Sequence, residues 1–237
     1  MISVKQRDEV VRLIDVTKIY GGAGRETFAL RNVSFQAHAG ELVLLLGPSG
    51  SGKTTLLTLM AGLQCPTNGA VYIFGRQVTE YSIWELQRLR AVRIGFIFQT
   101  FNLIESLTVL DNVMLVMKFG GLHRKEARVR AEDFLGRFDV KQLSQASPRT
   151  LSQGEKQRVA VARALANGAP LIIADEPTGS LATKQGMDIV QLLRISVKKE
   201  NRCVVVASHD ERIADYADRV LYLADGALST KKGYPNS

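Results

Sequence analysis

Nine consecutive residues, Gly47-Pro48-Ser49-Gly50-Ser51-Gly52-Lys53-Thr54-Thr55, carry the most specific chemistry in the chain. They match G-x-x-x-x-G-K-[ST], follow the apolar run Leu42–Leu46 and lead into an apolar helical segment. The glycines let successive backbone N–H groups turn inward and form a concave anion site, to which the opening helix adds its partial positive charge. Lys53 is placed to bridge the β- and γ-phosphates of a nucleotide, and the Thr54 hydroxyl to coordinate Mg²⁺. A merely flexible Gly/Ser loop would leave the Lys-Thr-Thr at that spacing unexplained. A second constellation lies at Leu171-Ile-Ile-Ala-Asp175-Glu176-Pro177, where an apolar run delivers two adjacent carboxylates. Asp175 suits Mg²⁺, directly or through water, and Glu176, pointing the other way along the pleat, suits the water that attacks a γ-phosphate. A pair of solvated charges at a turn is the competing reading, and the phosphate loop weighs against it.

The elements that must position these groups alternate in a recognisable way. Short apolar or alternating runs at Val10–Val16, Phe28–Ala37, Glu41–Leu46 and Ala70–Phe74 predict strands, and Thr54–Ala61 a helix. From Ser82 to about Ala166 the pattern is mostly helical, with helices expected at Ser82–Ala91, Val109–Phe119, Arg124–Phe138 and Gln153–Ala166. The last third alternates: a strand at Leu171–Ala174, a helix near Lys184–Lys199, a strand at Val204–Ser208, a helix near Glu211–Ala217 and a strand at Val220–Leu223. Such alternation implies an α/β fold with a mostly parallel sheet, and the helical block reads as an inserted subdomain. The tail, Ser229–Ser237, is polar and expected to fray.

Composition narrows the classes. With 237 residues, a hydrophobic fraction of 46% and 23% charged residues, the chain reads as one soluble globular domain, residues 1–237, and disorder is excluded. No apolar run approaches the ~18 residues of a membrane helix, and charges spread through the first turns leave no signal-peptide core. Cys65 and Cys203 make neither a disulfide framework nor a metal site, so a cytoplasmic setting is expected. The excess of 31 Lys and Arg over 23 Asp and Glu, a charge of +8, suits nucleic acid, an anionic membrane face or a phosphate ligand without choosing among them.

The string Leu151-Ser152-Gln153-Gly154-Glu155-Lys-Gln-Arg158 adds the decisive pattern. Ser152 and Glu155 form a capping box for the Gln153–Ala166 helix, but a cap needs neither Gly154 nor the rest of the string. Here the chain resembles the ATP-binding cassette (ABC) ATPases, whose Leu-Ser-Gly-Gly-Gln signature sits between the same phosphate loop and carboxylate strand. The resemblance covers nearly the whole chain. It implies a phosphate-loop nucleotide-hydrolase core, an N-terminal antiparallel β subdomain, a helical subdomain at about residues 100–165, and ATP with Mg²⁺ as ligands. It also implies that Tyr20 stacks on adenine, that Gln99 senses Mg²⁺ and the attacking water, and that His209 contacts the γ-phosphate. His38 and His123 have no such context and read as surface residues. Catalysis would thus fall to Glu176, His209, Gln99 and Lys53, and the metal to Thr54, Gln99 and Asp175. In this family two subunits pair head to tail, so Ser152, Gly154 and Glu155 would meet the nucleotide held by the other copy's loop. Gln153 stands where the family has a glycine, Glu155 where it has glutamine, and Ala182 where it has an aspartate that couples the two sites.

Finer likeness, in Arg90 to Ile104, Leu107 to Val113 and Asp175 to Leu181, is to ATPase subunits of the lipoprotein-release, macrolide-export and cell-division branch. Such relatives work with separate polytopic membrane permeases, which implies attachment to the cytoplasmic face of the inner or plasma membrane. Phe101, Leu103, Ile104 and Leu107 would line a groove for a permease helix, or simply pack in the core. Two other functions are weighed: an ABC ATPase acting on nucleic acid, which usually carries insertions or tandem cassettes, and a cell-division-type scaffold with low hydrolysis. The first is disfavoured, so no nucleic-acid partner is expected. Much of the basic excess lies in the helical block, where Lys118 to Lys141 holds seven Lys or Arg against four Asp or Glu.

Overall fold

A computed structural model describes residues 8–22, 24–179, 181 and 183–231, with Thr183 described by its backbone alone. Residues 1–7, Ala182 and most of the expected tail therefore lie outside the described residues.

Three strands are buried at every position: β3 (Leu42–Leu46), β7 (Leu171–Asp175) and β8 (Cys203–Ser208). Continuous apolar runs of this length suit a parallel sheet covered on both faces. They lie in a six-stranded sheet completed by β6 (Ile94–Ile97), β9 (Arg219–Ala224) and β10 (Ala227–Ser229), in the order β10-β9-β3-β8-β7-β6. All pairings are parallel except that of the edge strand β10 with β9.

Pleat alternation splits each central strand between two cores. Val43, Leu45, Ile173 and Val205 face one core, shared with helix α1 (Lys53–Met60) and an antiparallel sheet. That second sheet has the order β2-β1-β4-β5, built from β1 (Glu9–Tyr20), β2 (Thr27–His38), β4 (Asn68–Ile73) and β5 (Arg76–Gln77). Leu44, Ile172, Ala174 and Val206 face the other core. There they meet α3 (Val109–Phe119), α4 (Arg124–Arg137), α5 (Gln153–Ala166) and α6 (Thr183–Glu200). A further helix, α2 (Ile83–Arg93), starts from a complete capping box between Ser82 and Glu85. Inside the helical block, buried Asn112 ties down the approach to α3. Its amide donates to the carbonyls of Ile104 (3.0 Å) and Thr108 (2.9 Å) and its oxygen accepts from the Ile104 N–H at 2.8 Å.

The structure departs from the sequence expectation in four places. Ile94–Ile97, inside the stretch read as helical, is the β6 edge of the parallel sheet; four residues are too few for a period to show. The short strands β5 and β10 are two and three residues long and carry no pattern of their own. The helix expected near Glu211–Ala217 is a 3-10 helix over Glu211–Tyr216. His38, read as a surface residue, is half-buried with Nδ1 3.5 Å from Glu41 Oε1.

Strand β6 lies so close to α5 that a Cβ on Gly95 would sit 2.2 Å from the Ala164 carbonyl oxygen and 2.7 Å from Ile172 Cδ1. Backbone cannot yield there as a flexible side chain can. Gly95→Ala should therefore destabilise the protein by about 1–3 kcal/mol, read as a lower midpoint in urea unfolding at unchanged slope.

Candidate active site

The phosphate loop leaves the end of β3, at the C-terminal edge of the parallel sheet where open α/β folds bind ligands. Crowding dictates two of its glycines. A Cβ on Gly47 would lie 2.2 Å from the Leu223 carbonyl oxygen, and one on Gly52 would lie 2.3 Å from that of Ala29. Gly52 also has φ 104°, and it caps α1 with no side-chain hydrogen bond and no acidic residue in the first turn. The first N–H groups of that helix are thus left for an anion, together with the helix dipole. Among the described residues, buried Ser51 Oγ finds no hydrogen-bond partner, a polar atom left over inside the loop.

Lys53 is buried at 7% exposure, and its ammonium donates to the carbonyls of Gly47 (2.7 Å) and Pro48 (2.9 Å) while lying 3.9 Å from Glu176 Oε1. Thr54 Oγ1 donates to Asp175 Oδ2 at 2.7 Å, joining the loop to the end of β7. Burial raises the Asp175 carboxyl above the ordinary aspartate range; the Thr54 hydrogen bond lowers it, Glu176 raises it and Lys53 lowers it.

Glu176 lies just beyond β7 in left-handed backbone, φ 48°, so a turn rather than the strand pleat sets its direction. Its Oε2 accepts from Ser208 Oγ at 3.2 Å and lies 3.0 Å from His209 Nδ1. Both partners sit at the end of neighbouring β8, so adjacency in the sheet converges what sequence separates.

A cavity of about 390 Å³ gathers most of the expected groups: Tyr20, Ser49, Gly50, Gly52, Lys53, Thr54, Thr55, Gln99, Asp175 and Glu176. Gly47, Pro48 and Ser51 stand behind it as loop backbone. Tyr20 is 40% exposed and donates its hydroxyl to Gln64 Oε1 at 2.6 Å. His209 is absent from the lining and bears instead on Glu176. Sequence reasoning does not single out Thr27, Phe28 and Ala29, which also line the cavity, or Ser208. Phe28 adds a second exposed aromatic to the lining, and Ser208 holds Glu176; each reads in sequence as ordinary strand.

Ser152, Gly154 and Glu155 are not brought to this cavity. They open α5 through a complete capping box: the Ser152 N–H and hydroxyl donate to Glu155 Oε2 at 2.8 and 2.7 Å, and the Glu155 N–H returns to Ser152 Oγ at 3.3 Å. Those bonds hold the Glu155 carboxyl below its usual range, and Ser152 and Gln153 are exposed.

Among the described residues, no group of three or more His, Cys, Asp or Glu converges as a metal cage. One hydroxyl and one carboxylate beside an anion loop nevertheless fit Mg²⁺, which is usually held by one or two protein oxygens with phosphates and water.

A phosphate loop after a central parallel strand, a carboxylate pair on a neighbouring strand and an open helix N-terminus define a phosphate-loop nucleotide hydrolase. Residues 30–179 match the family model described as ABC transporter. Over 227 residues the chain is 41% identical to the uncharacterized ABC transporter ATP-binding protein MJ0796 of Methanocaldococcus jannaschii, covering 94% of this chain and 97% of that protein. It is 38% identical to the putative hemin import ATP-binding protein HrtA of Staphylococcus haemolyticus, covering 92% and 98%. It is 35% identical to the macrolide export ATP-binding/permease protein MacB of Agrobacterium fabrum, over 93% of this chain but 34% of that one. A dimeric structure of the MJ0796 cassette in a post-hydrolysis state bound to ADP and Pi superimposes with a TM-score of 0.88 at 40% identity, covering 94% of this chain and 100% of that one. The chain belongs to the ABC transporter family and is an ATP-binding ATPase of that family.

The raised Asp175 pKa has a consequence for stability. The folded state favours the protonated carboxyl, so this group's contribution is fullest below the unfolded pKa and is lost as pH rises through the raised value. Asp175→Asn, neutral and still able to accept from Thr54, should raise the melting midpoint of the nucleotide-free protein at pH 7 by on the order of 2 °C. The same variant should lose the further rise that Mg·ATP gives the wild type, as read by thermal unfolding with and without Mg·ATP.

Proposed function

We propose that this chain is the ATP-hydrolysing subunit of a transporter, that two copies pair head to tail around two ATP molecules, and that the pair drives a separate membrane permease. The observation that carries this reading is the division of the site: the cavity holds the phosphate loop and carboxylates, while Ser152 and Gly154 lie apart on α5. A second copy supplies what one copy holds away from its own cavity. The dimeric structure of the MJ0796 cassette supports the pairing of two copies.

Within each site Lys53 leaves the Gly47 and Pro48 carbonyls for the β- and γ-phosphate oxygens, which satisfy a buried ammonium better than two neutral carbonyls. Tyr20 stacks on the adenine, and the loop's N–H groups receive the phosphates. Thr54, Asp175 and Gln99 would hold Mg²⁺, which would neutralise charge on the phosphate oxygens. Glu176 takes the proton of the attacking water, with Ser208 and His209 fixing its carboxylate. From the partner copy, Ser152 and the Gly154 amide donate to the γ-phosphate, so ATP bridges the pair and its hydrolysis releases it.

No helix of the described residues is long and apolar enough to cross a membrane. In this reading the permease docks from the cytoplasmic face of the inner or plasma membrane. Leu103 packs against the helical core, and Phe101, Ile104 and Leu107 line neither of two apolar hollows that share Arg90. One, about 240 Å³, lies between Leu63, Phe96, Phe98, Leu115 and Val116; the other, about 680 Å³, is flanked by Trp84, Arg88 and Phe119. Trp84 is 79% and Phe119 70% exposed. Apolar walls with Arg88 and Arg90 suit an amphipathic permease helix carrying acidic residues. The branch likeness and the MacB relatives favour export of a membrane-derived substrate, although another relative is described for hemin import.

Glu176→Gln should lower ATP hydrolysis by about 10²–10⁴-fold and accumulate an ATP-bound dimer. A monomer in sedimentation with Mg·ATP would count against the paired site. Tagged protein taken from native membranes in mild detergent should bring down a polytopic permease, and Trp84→Asp with Phe119→Asp should weaken that capture while leaving ATP binding intact.

A further inference from the structure

Phe101 and Asn102 are consecutive non-glycine residues in left-handed backbone, with φ 61° and 48°. Such backbone persists only where its surroundings over-determine it. Local bonds supply part of the restraint: Phe101 N–H donates to the Phe98 carbonyl at 3.1 Å and Asn102 N–H to the Thr100 carbonyl at 2.7 Å. The Thr100 hydroxyl adds a bond to Asn102 Oδ1 at 2.9 Å.

The remaining restraint comes from a distant element. Arg163, on α5, donates through Nη1 to the Asn102 carbonyl at 2.5 Å and through Nη2 to the Phe101 carbonyl at 2.7 Å. Both arms of one planar fork thus hold two successive strained peptides, a geometry lysine cannot reproduce. Burial, rather than a neighbouring charge, pushes this guanidinium's pKa down to about 10. A half-buried cation that loses its hydrogen bonds is destabilised, so the two carbonyls restrain the arginine as it restrains them.

The loop it holds begins two residues after Gln99, which lines the nucleotide cavity. The helix it projects from begins at the Ser152–Glu155 capping box. At 14 residues, α5 is a rod about 21 Å long. One rigid element therefore carries the exposed Ser152 at its start and the grip on the Gln99 loop further along.

We propose that Arg163 is a positioning residue for the ATPase site: its guanidinium fork fixes the loop behind Gln99 and makes that side chain's place in the cavity depend on the pose of α5. A displacement of α5 by whatever contacts Ser152 is then transmitted to Gln99 through two hydrogen bonds. The proposal rests on the nucleotide reading of the cavity for its catalytic consequence, and on geometry alone for the restraint itself.

Arg163→Lys keeps the charge and loses the fork. In the nucleotide-free protein, the Phe101 and Asn102 amides of this variant should exchange with solvent about tenfold faster or more, with the amides of β7 and β8 unchanged. Its kcat for ATP should fall by about 10–100-fold while the ATP dissociation constant stays within about twofold. In Arg163→Ala the hollow of about 240 Å³ that Arg163 lines leaves room for methylguanidinium, which should restore part of kcat at millimolar concentration. Unchanged exchange at Phe101 and Asn102, or faster exchange with unchanged kcat, would overturn the proposal. Wild-type protein that fails to hydrolyse Mg·ATP would instead sink the nucleotide reading, and amide exchange would still decide the restraint.

Discussion

Lys53, Asp175 and Glu176 sit together at the edge of a sheet whose central strands are apolar and wholly buried. Ionised groups taken out of water must find partners, and each of these finds a different one: loop carbonyls for the ammonium, a threonine hydroxyl for Asp175, Ser208 and His209 for Glu176. Much of the surrounding architecture keeps these charges close without neutralising them completely. The raised Asp175 pKa and the unpartnered Ser51 hydroxyl both mark a site whose polar groups are incompletely satisfied among the described residues. A phosphate chain with Mg²⁺ would supply the missing partners, which would make ligand binding and local stability two aspects of one electrostatic arrangement.

That arrangement needs a rigid floor, and the division of the core provides it. Alternate residues of β3, β7 and β8 pack into two separate hydrophobic clusters, one under the antiparallel sheet and one under the helices. The nucleotide cavity draws on both sides: Tyr20 and Phe28 come from the antiparallel sheet, the carboxylates from the parallel one, and Gln99 from the turn after β6. The helical block contributes no lining residue to this cavity and communicates with it through loops and through Arg163. Its exposed faces carry basic charge, and exposed aromatics flank the neighbouring groove.

Legibility in the sequence followed the length and directness of each pattern. The phosphate loop and the carboxylate strand are contiguous, and crowding at Gly47 and Gly52 leaves few residue types that fit. The strand β6 was hidden because four residues cannot display a period, although Gly95 within it is demanded by the close approach of α5. Glu176 was expected to point by strand alternation, whereas a left-handed turn directs it. Ser208 and Phe28 carry no signal in sequence because their importance comes from strands adjacent in space. Arg163 belongs with them: on a helix it reads as an ordinary charged position, and only the fold brings Phe101 and Asn102 beneath its guanidinium.

The sequence by itself determined the family, the nucleotide chemistry and the identity of most lining groups, because a phosphate loop is written in one short stretch whose backbone tolerates almost no substitution. Tertiary structure alone decided which groups share a cavity and which stand apart. It set His209 against Glu176 and kept Ser152 and Gly154 away from the cavity on their own helix. It also joined that helix to the Gln99 loop through one half-buried arginine. The reason is physical: hydrogen bonds and desolvation act between neighbours in space, and parallel-sheet order makes neighbours of strands that lie far apart in the chain.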